Sequence, residues 1–90
     1  MLFMYVHTHT PEKCIADQTQ ELMHLFSAVR EGFQRGGIKV HIACAAPHEH
    51  KFFWLLESDD IGALEAALMP MTLFGTAHLI PVREMEYMKH

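Results

Sequence analysis

The sequence predicts an α+β domain: a four-stranded antiparallel sheet with two helices on one face, in the order β-α-β-β-α-β. Three observations carry this. Ninety residues are enough for one domain, 1–90. Four short apolar runs alternate with a period of two, and two longer ones repeat with a helical period. The two middle strand-like runs are joined only by Ala46-Pro47-His48-Glu49-His50, a connection of hairpin length.

Residues 2–9 read as the first strand, ended by Pro11. Phe3, Tyr5, His7 and His9 share one face, and Leu2, Met4, Val6 and Thr8 the other. Both faces are largely apolar, which suits a central strand. Residues 18–35 read as a helix. Asp17 is placed as its N-cap, with Gln20 three residues on as in a capping box. Leu22, Leu25, Phe26, Val29 and Phe33 make one apolar stripe. Gly36-Gly37 stops it, because glycine accepts the left-handed conformation common at helix ends.

Residues 38–45 alternate again, which puts Ile38, Val40, Ile42 and Cys44 on one face. In the third strand, Lys51 to Glu57, the apolar sets are Phe52/Trp54/Leu56 and Phe53/Leu55. Ser58, Asp59 and Asp60 offer N-caps for a second helix over 60–69, with Ile61, Leu64, Ala67 and Leu68 on its apolar face. Pro70 limits that helix. Met71 to Gly75 read as a loop, 77–84 as a last strand, and 85–90 as an unassigned tail.

This order is the split βαβ, or ferredoxin-like, arrangement. Right-handed crossovers put strands 1 and 3 in the middle, strand 4 beside 1 and strand 2 beside 3. One sheet face is then left apolar and uncovered, which predicts a second copy of the chain packed against it. The run Phe52-Phe53-Trp54-Leu55-Leu56-Glu57-Ser58-Asp59-Asp60, followed by a helix and a strand through Ile80-Pro81-Val82, resembles the second half of small dimeric α+β barrel proteins. The opening His7-Thr8-His9-Thr10-Pro11-Glu12, with Cys14 after it, resembles a hallmark of one subgroup. The resemblance implies the fold and a homodimer formed through the sheet face. It assigns no catalytic residue, because that superfamily includes cofactor-free monooxygenases, isomerases and haem enzymes.

Composition narrows the partners. A net charge of -4 with neutral histidines argues against nucleic acid. No run is long enough to span a bilayer, and the apolar start is too short for a signal peptide, so the expected compartment is the cytoplasm and no membrane is expected. Two cysteines make no disulfide framework. Eight histidines in ninety residues are the outlier.

The predicted topology gathers many of these at one end of the sheet. Strand 1 ends there at His7 and His9, strand 3 begins at His50, and strand 4 begins near His78. Cys14 follows strand 1, and the hairpin carries Cys44, His48 and Glu49. Neutral imidazoles with a thiolate suit Zn, Cu, Ni or Fe. The expected ligands are His7, His9 and His50 with Cys14 fourth and His48 in reserve, and Glu12 or Glu49 is placed to orient a ring. Two other readings stay open. The histidines are acid/base groups of an enzyme acting on a small apolar ligand, in a cavity lined by Phe3, Tyr5, Phe26, Phe52 and Trp54. Or they are solvated loop residues and packed core residues.

Overall fold

The computed structural model describes residues 1–13, 19–73 and 75–88. The chain runs through β1 (Leu2–Thr8), α1 (Thr19–Gly36), β2 (Lys39–Ala46), β3 (Lys51–Glu57), α2 (Ile61–Leu68) and β4 (Thr76–Val82). Short 3-10 segments lie at Pro11–Lys13, Pro47–Glu49, Met69–Leu73 and Glu86–Met88. The sheet order is β2-β3-β1-β4, with every pairing antiparallel. This is the ferredoxin-like β-α-β-β-α-β arrangement expected from the sequence.

The alternation in β1 decides which face is covered. Phe3, Tyr5 and His7 are buried, and they lie opposite Leu56, Trp54 and Phe52 of β3. Their neighbours Leu2, Met4, Val6 and Thr8 are half-buried on the other face, opposite Leu55, Phe53 and Lys51 and, on β4, Val82, Ile80, His78 and Thr76. Val29 and Phe33 of α1 and Leu64, Ala67 and Leu68 of α2 close the core over the first face. A side chain of this size stabilises by about 1.5–3 kcal/mol when fully buried.

Small residues let the two helices approach closely. A Cβ added at Gly32 would lie 2.9 Å from Ala67 Cα, and one added at Gly36 would lie 3.2 Å from Ala63 Cβ. The pairs are each four residues apart, so they stack along one face of each helix. Gly37 takes a φ of 66° and ends α1. The Gly37 N–H donates to Gln34 O at 3.3 Å and the Ile38 N–H to Phe33 O at 2.9 Å. Ile38 and Phe33 are both in the core, the apolar contact that goes with this cap. Asp60 caps α2 by accepting from the Ala63 N–H at 3.1 Å.

Four details differ from the sequence expectation. The register of β2 shifts between Val40 and Ile42, so Val40, Ala43 and Ala45 lie opposite Leu56, Trp54 and Phe52 on the helix side. Ile42 and Cys44 lie opposite Leu55 and Phe53 on the open side, so the single face Ile38/Val40/Ile42/Cys44 is divided. At this irregularity the His41 ring contacts Glu57 Oε1 at 2.6 Å, which holds the Glu57 carboxyl below its usual range. Ile61 is 47% exposed, because it occupies the first helical position beyond the cap rather than the packed face. Met71, expected in a loop, is wholly buried within the Met69–Leu73 segment. β4 starts one residue earlier and stops at Val82. The Asp17 cap lies outside the described residues. Among those described, no helix is long and apolar enough to cross a membrane.

Candidate functional site

The end of β1 carries an unusual core. His7 continues the buried face of Phe3 and Tyr5, and it is paired with Phe52 on β3 and Ala77 on β4. It is 0% exposed. His7 Nε2–H donates to the carbonyl oxygen of Met71 at 3.1 Å. A carbonyl only accepts, so in the neutral ring Nε2 carries the proton and Nδ1 the lone pair. The ring stacks on Phe52 with centroids 5.5 Å apart.

Two residues on, His9 leaves the strand but not the ladder, because its N–H donates to His50 O at 3.1 Å. It is 8% exposed. His50 ends the Pro47–Glu49 turn in the left-handed region, at φ 53° and ψ 48°, with its N–H bonded to Pro47 O. A residue with a Cβ pays for that conformation, which glycine takes freely. The three rings form a file. The His7 and His9 centroids are 5.6 Å apart, and those of His9 and His50 are 5.3 Å apart and nearly edge-on. Phe52 touches both His7 and His9.

Gly75 holds the loop before β4 against this file. A Cβ there would collide with Thr8 O and lie 2.6 Å from His7 Nε2 and 2.8 Å from His7 Cε1. The requirement is for space, since a backbone carbonyl and a buried ring both bound the position.

Burial sets the protonation of these groups. Desolvation pushes His7 below the ordinary histidine value, against the bond to Met71 and with the like charge of His9. Desolvation lowers His9 as well, and His50 adds to it. Both rings are therefore neutral at pH 7. Burial raises the Tyr5 phenol to about 12.

Of the residues the topology pointed to, His7, His9 and His50 are neighbours. His48 and Glu49 are exposed on the Pro47–Glu49 turn, and Glu12 is exposed at Pro11–Lys13. Cys44 and His78 are exposed on strands whose partners there, Phe53 and Val6, face away from the helices. Cys14 lies outside the described residues. Among those described, no three His, Cys, Asp or Glu side chains are already gathered at metal-binding geometry.

Beside the file lies a cleft of about 530 Å³ lined by Phe26, Val29, Arg30, Phe33, Val40, Ala43, Cys44, Ala45, Phe52 and Trp54. It sits between α1 and β2. Phe26, Phe52 and Trp54 were expected in such a lining, whereas Phe3 and Tyr5 belong to the closed core. Sequence reasoning missed Met71, Gly75 and Arg30. The first two act through a carbonyl and through an absent side chain, which no motif marks.

The profile of a family described as a domain of unknown function, DUF3303, matches residues 1–90. No curated protein matches the chain. Among solved structures, the chain is similar to SCO4226 from Streptomyces coelicolor A3(2), with 18% identity, a TM-score of 0.60, and 93% of this chain and 100% of that one covered. At that identity the likeness is one of fold.

Proposed function

The chain belongs to the DUF3303 family, and we propose that this protein binds a divalent transition metal through His7, His9 and His50, with Cys14 as the fourth ligand. The observation that carries the proposal is the file of rings. Two imidazoles bound about 2.0–2.1 Å from one ion at a tetrahedral angle hold their centroids roughly 5 Å apart. The observed spacings of the two neighbouring pairs, 5.6 Å for His7 and His9 and 5.3 Å for His9 and His50, are close to that. The bond from His7 Nε2–H to Met71 O is the kind that orients a metal-bound imidazole and leaves Nδ1 basic. Burial keeps His7 and His9 neutral, which is the ligating state. Zn, Cu, Ni and Fe fit this donor set.

The test is elemental analysis of untagged protein after equilibration with each ion. The expected result is near-stoichiometric metal in the wild type, little in His9→Ala and in the His7→Ala/His9→Ala pair, and an unchanged level in His48→Ala. His50→Asn keeps a residue tolerant of the left-handed backbone, so metal lost there reports the ligand rather than the turn. Wild-type protein that takes up none of the four ions refutes the proposal.

A second reading has its own support. Phe52 touches His7 and His9 on one side and lines the cleft on the other. A ligand that displaced Phe52 and reached His9 would meet a neutral ring able to serve as a general base near pH 7. Either function is proposed for a cytoplasmic homodimer joined through the open sheet face, where Ile42 and Ile80 are 53% and 46% exposed.

A further inference from the structure

We infer that the cleft between α1 and β2 is a binding site for a flat aromatic molecule carrying one anionic group, with Arg30 as its anion partner. The inference goes beyond the histidine site and requires neither metal nor proton transfer there.

The cleft exists because of a mismatch in size. On the helix side, α1 presents Phe26, Val29 and Phe33. Opposite them, the register shift in β2 turns Val40, Ala43 and Ala45 toward the helices instead of Ile42 and Cys44. Two alanines leave unfilled the space that larger residues would occupy. The result is about 530 Å³, within the range of small-molecule sites. Among the described residues four aromatic rings line it, and those of Phe26, Phe33 and Phe52 each meet Trp54 within 6.2 Å. Such faces favour a planar ligand through offset or edge contacts.

Among the described residues, the lining contains one charged residue, Arg30, and no carboxylate. Among the described residues Arg30 makes no ion pair, whereas Arg35 pairs with Glu31 one turn away along the helix. A guanidinium at the margin of an apolar cleft selects a ligand whose body is aromatic and whose end is a carboxylate or sulfonate. A neutral ligand of the same shape would gain the aromatic contacts alone.

The chain has one tryptophan, and it lines the cleft, so Trp54 fluorescence reports occupancy. The probes are 1-anilinonaphthalene-8-sulfonate and N-phenyl-1-naphthylamine, which share their rings and differ in the sulfonate. Saturable quenching of Trp54 by the sulfonate is expected, with affinity reduced about tenfold in Arg30→Gln. The neutral probe should bind Arg30→Gln as it binds the wild type. Ala43→Leu and Ala45→Phe, checked for native circular dichroism, should remove both signals by filling the space, and either one suffices if the other fails to fold. Equal loss of both probes in Arg30→Gln, no loss of either, or full binding by the filled variants would overturn the inference. Probe bound to the open sheet face would give the last of these results.

Discussion

Replacing Gly75 by alanine tests whether the loop before β4 is what fixes the His7 ring. The new Cβ would lie 2.6 Å from His7 Nε2, roughly 0.8 Å inside ordinary contact, and would also press on Thr8 O. The strand carbonyl is held in the sheet, so the loop or the ring must move. Overpacking of this kind costs about 1–3 kcal/mol. If the ring moves, the bond to Met71 O is lost and a buried donor goes unsatisfied, a further cost of about 1–3 kcal/mol. Loss of unfolded-chain entropy on replacing glycine returns about 0.4–1 kcal/mol. The expected net loss is about 2–4 kcal/mol, read as a fall in the urea midpoint at unchanged slope. Nitrogen-15 chemical shifts of His7 supply the second readout, because displacement of the ring abolishes the single Nε2–H tautomer. A loss below about 0.5 kcal/mol with the tautomer intact would refute the claim that the loop packs directly on His7.

Other expectations follow from the same geometry. His50→Gly relieves the left-handed backbone and removes a half-buried ring, so stability should be unchanged or rise by about 1 kcal/mol in denaturation while metal uptake falls. The lowered values of His7 and His9 mean that the unfolded chain binds more protons than the folded one just below pH 6.5. Metal-free protein should therefore be fully stable above that pH and lose stability as the pH falls from 6.5 toward the folded values, whereas a flat profile over that window would contradict the burial of both rings. The Tyr5 hydroxyl is buried with no hydrogen-bond partner among the described residues, so Tyr5→Phe should be neutral or stabilising by about 1 kcal/mol in thermal melts. The Tyr5 phenol value of about 12 also predicts stability lost between pH 10 and 12, and lost less in that variant. Sedimentation of the wild type should show a dimer, and Ile80→Lys on the open face should yield monomer.

Much of the fold was legible because the strongest patterns are local. Phe3, Tyr5 and His7 alternate with residues of the other face, and the β3 set Phe52, Trp54 and Leu56 does the same, so two central strands declare their buried sides. The convergence of His7, His9 and His50 followed from strand order alone. β2 was misread for a physical reason. Its sequence alternates without a break, while the shift at His41 arises from pairing with β3 and the contact to Glu57. Met71 lies beside a proline, which signals the end of a helix but not which neighbour turns inward. His50 could not be foreseen in the left-handed region, since glycine or asparagine is the residue that ordinarily advertises it.

The His7 bond to Met71 joins residues 64 apart in the chain, and β1 is paired with both β3 and the last strand. The first strand therefore cannot find its final place until the chain has been made as far as Val82. During synthesis it must wait with an unpaired edge and an apolar side exposed, the condition in which chains associate wrongly. Local pieces, the α1 helix and the β2–β3 hairpin, are free to form early, and closure by β1 and β4 comes late. A histidine file built into that strand is assembled as the sheet closes, so any ion held there would reinforce a sheet already paired rather than guide its pairing.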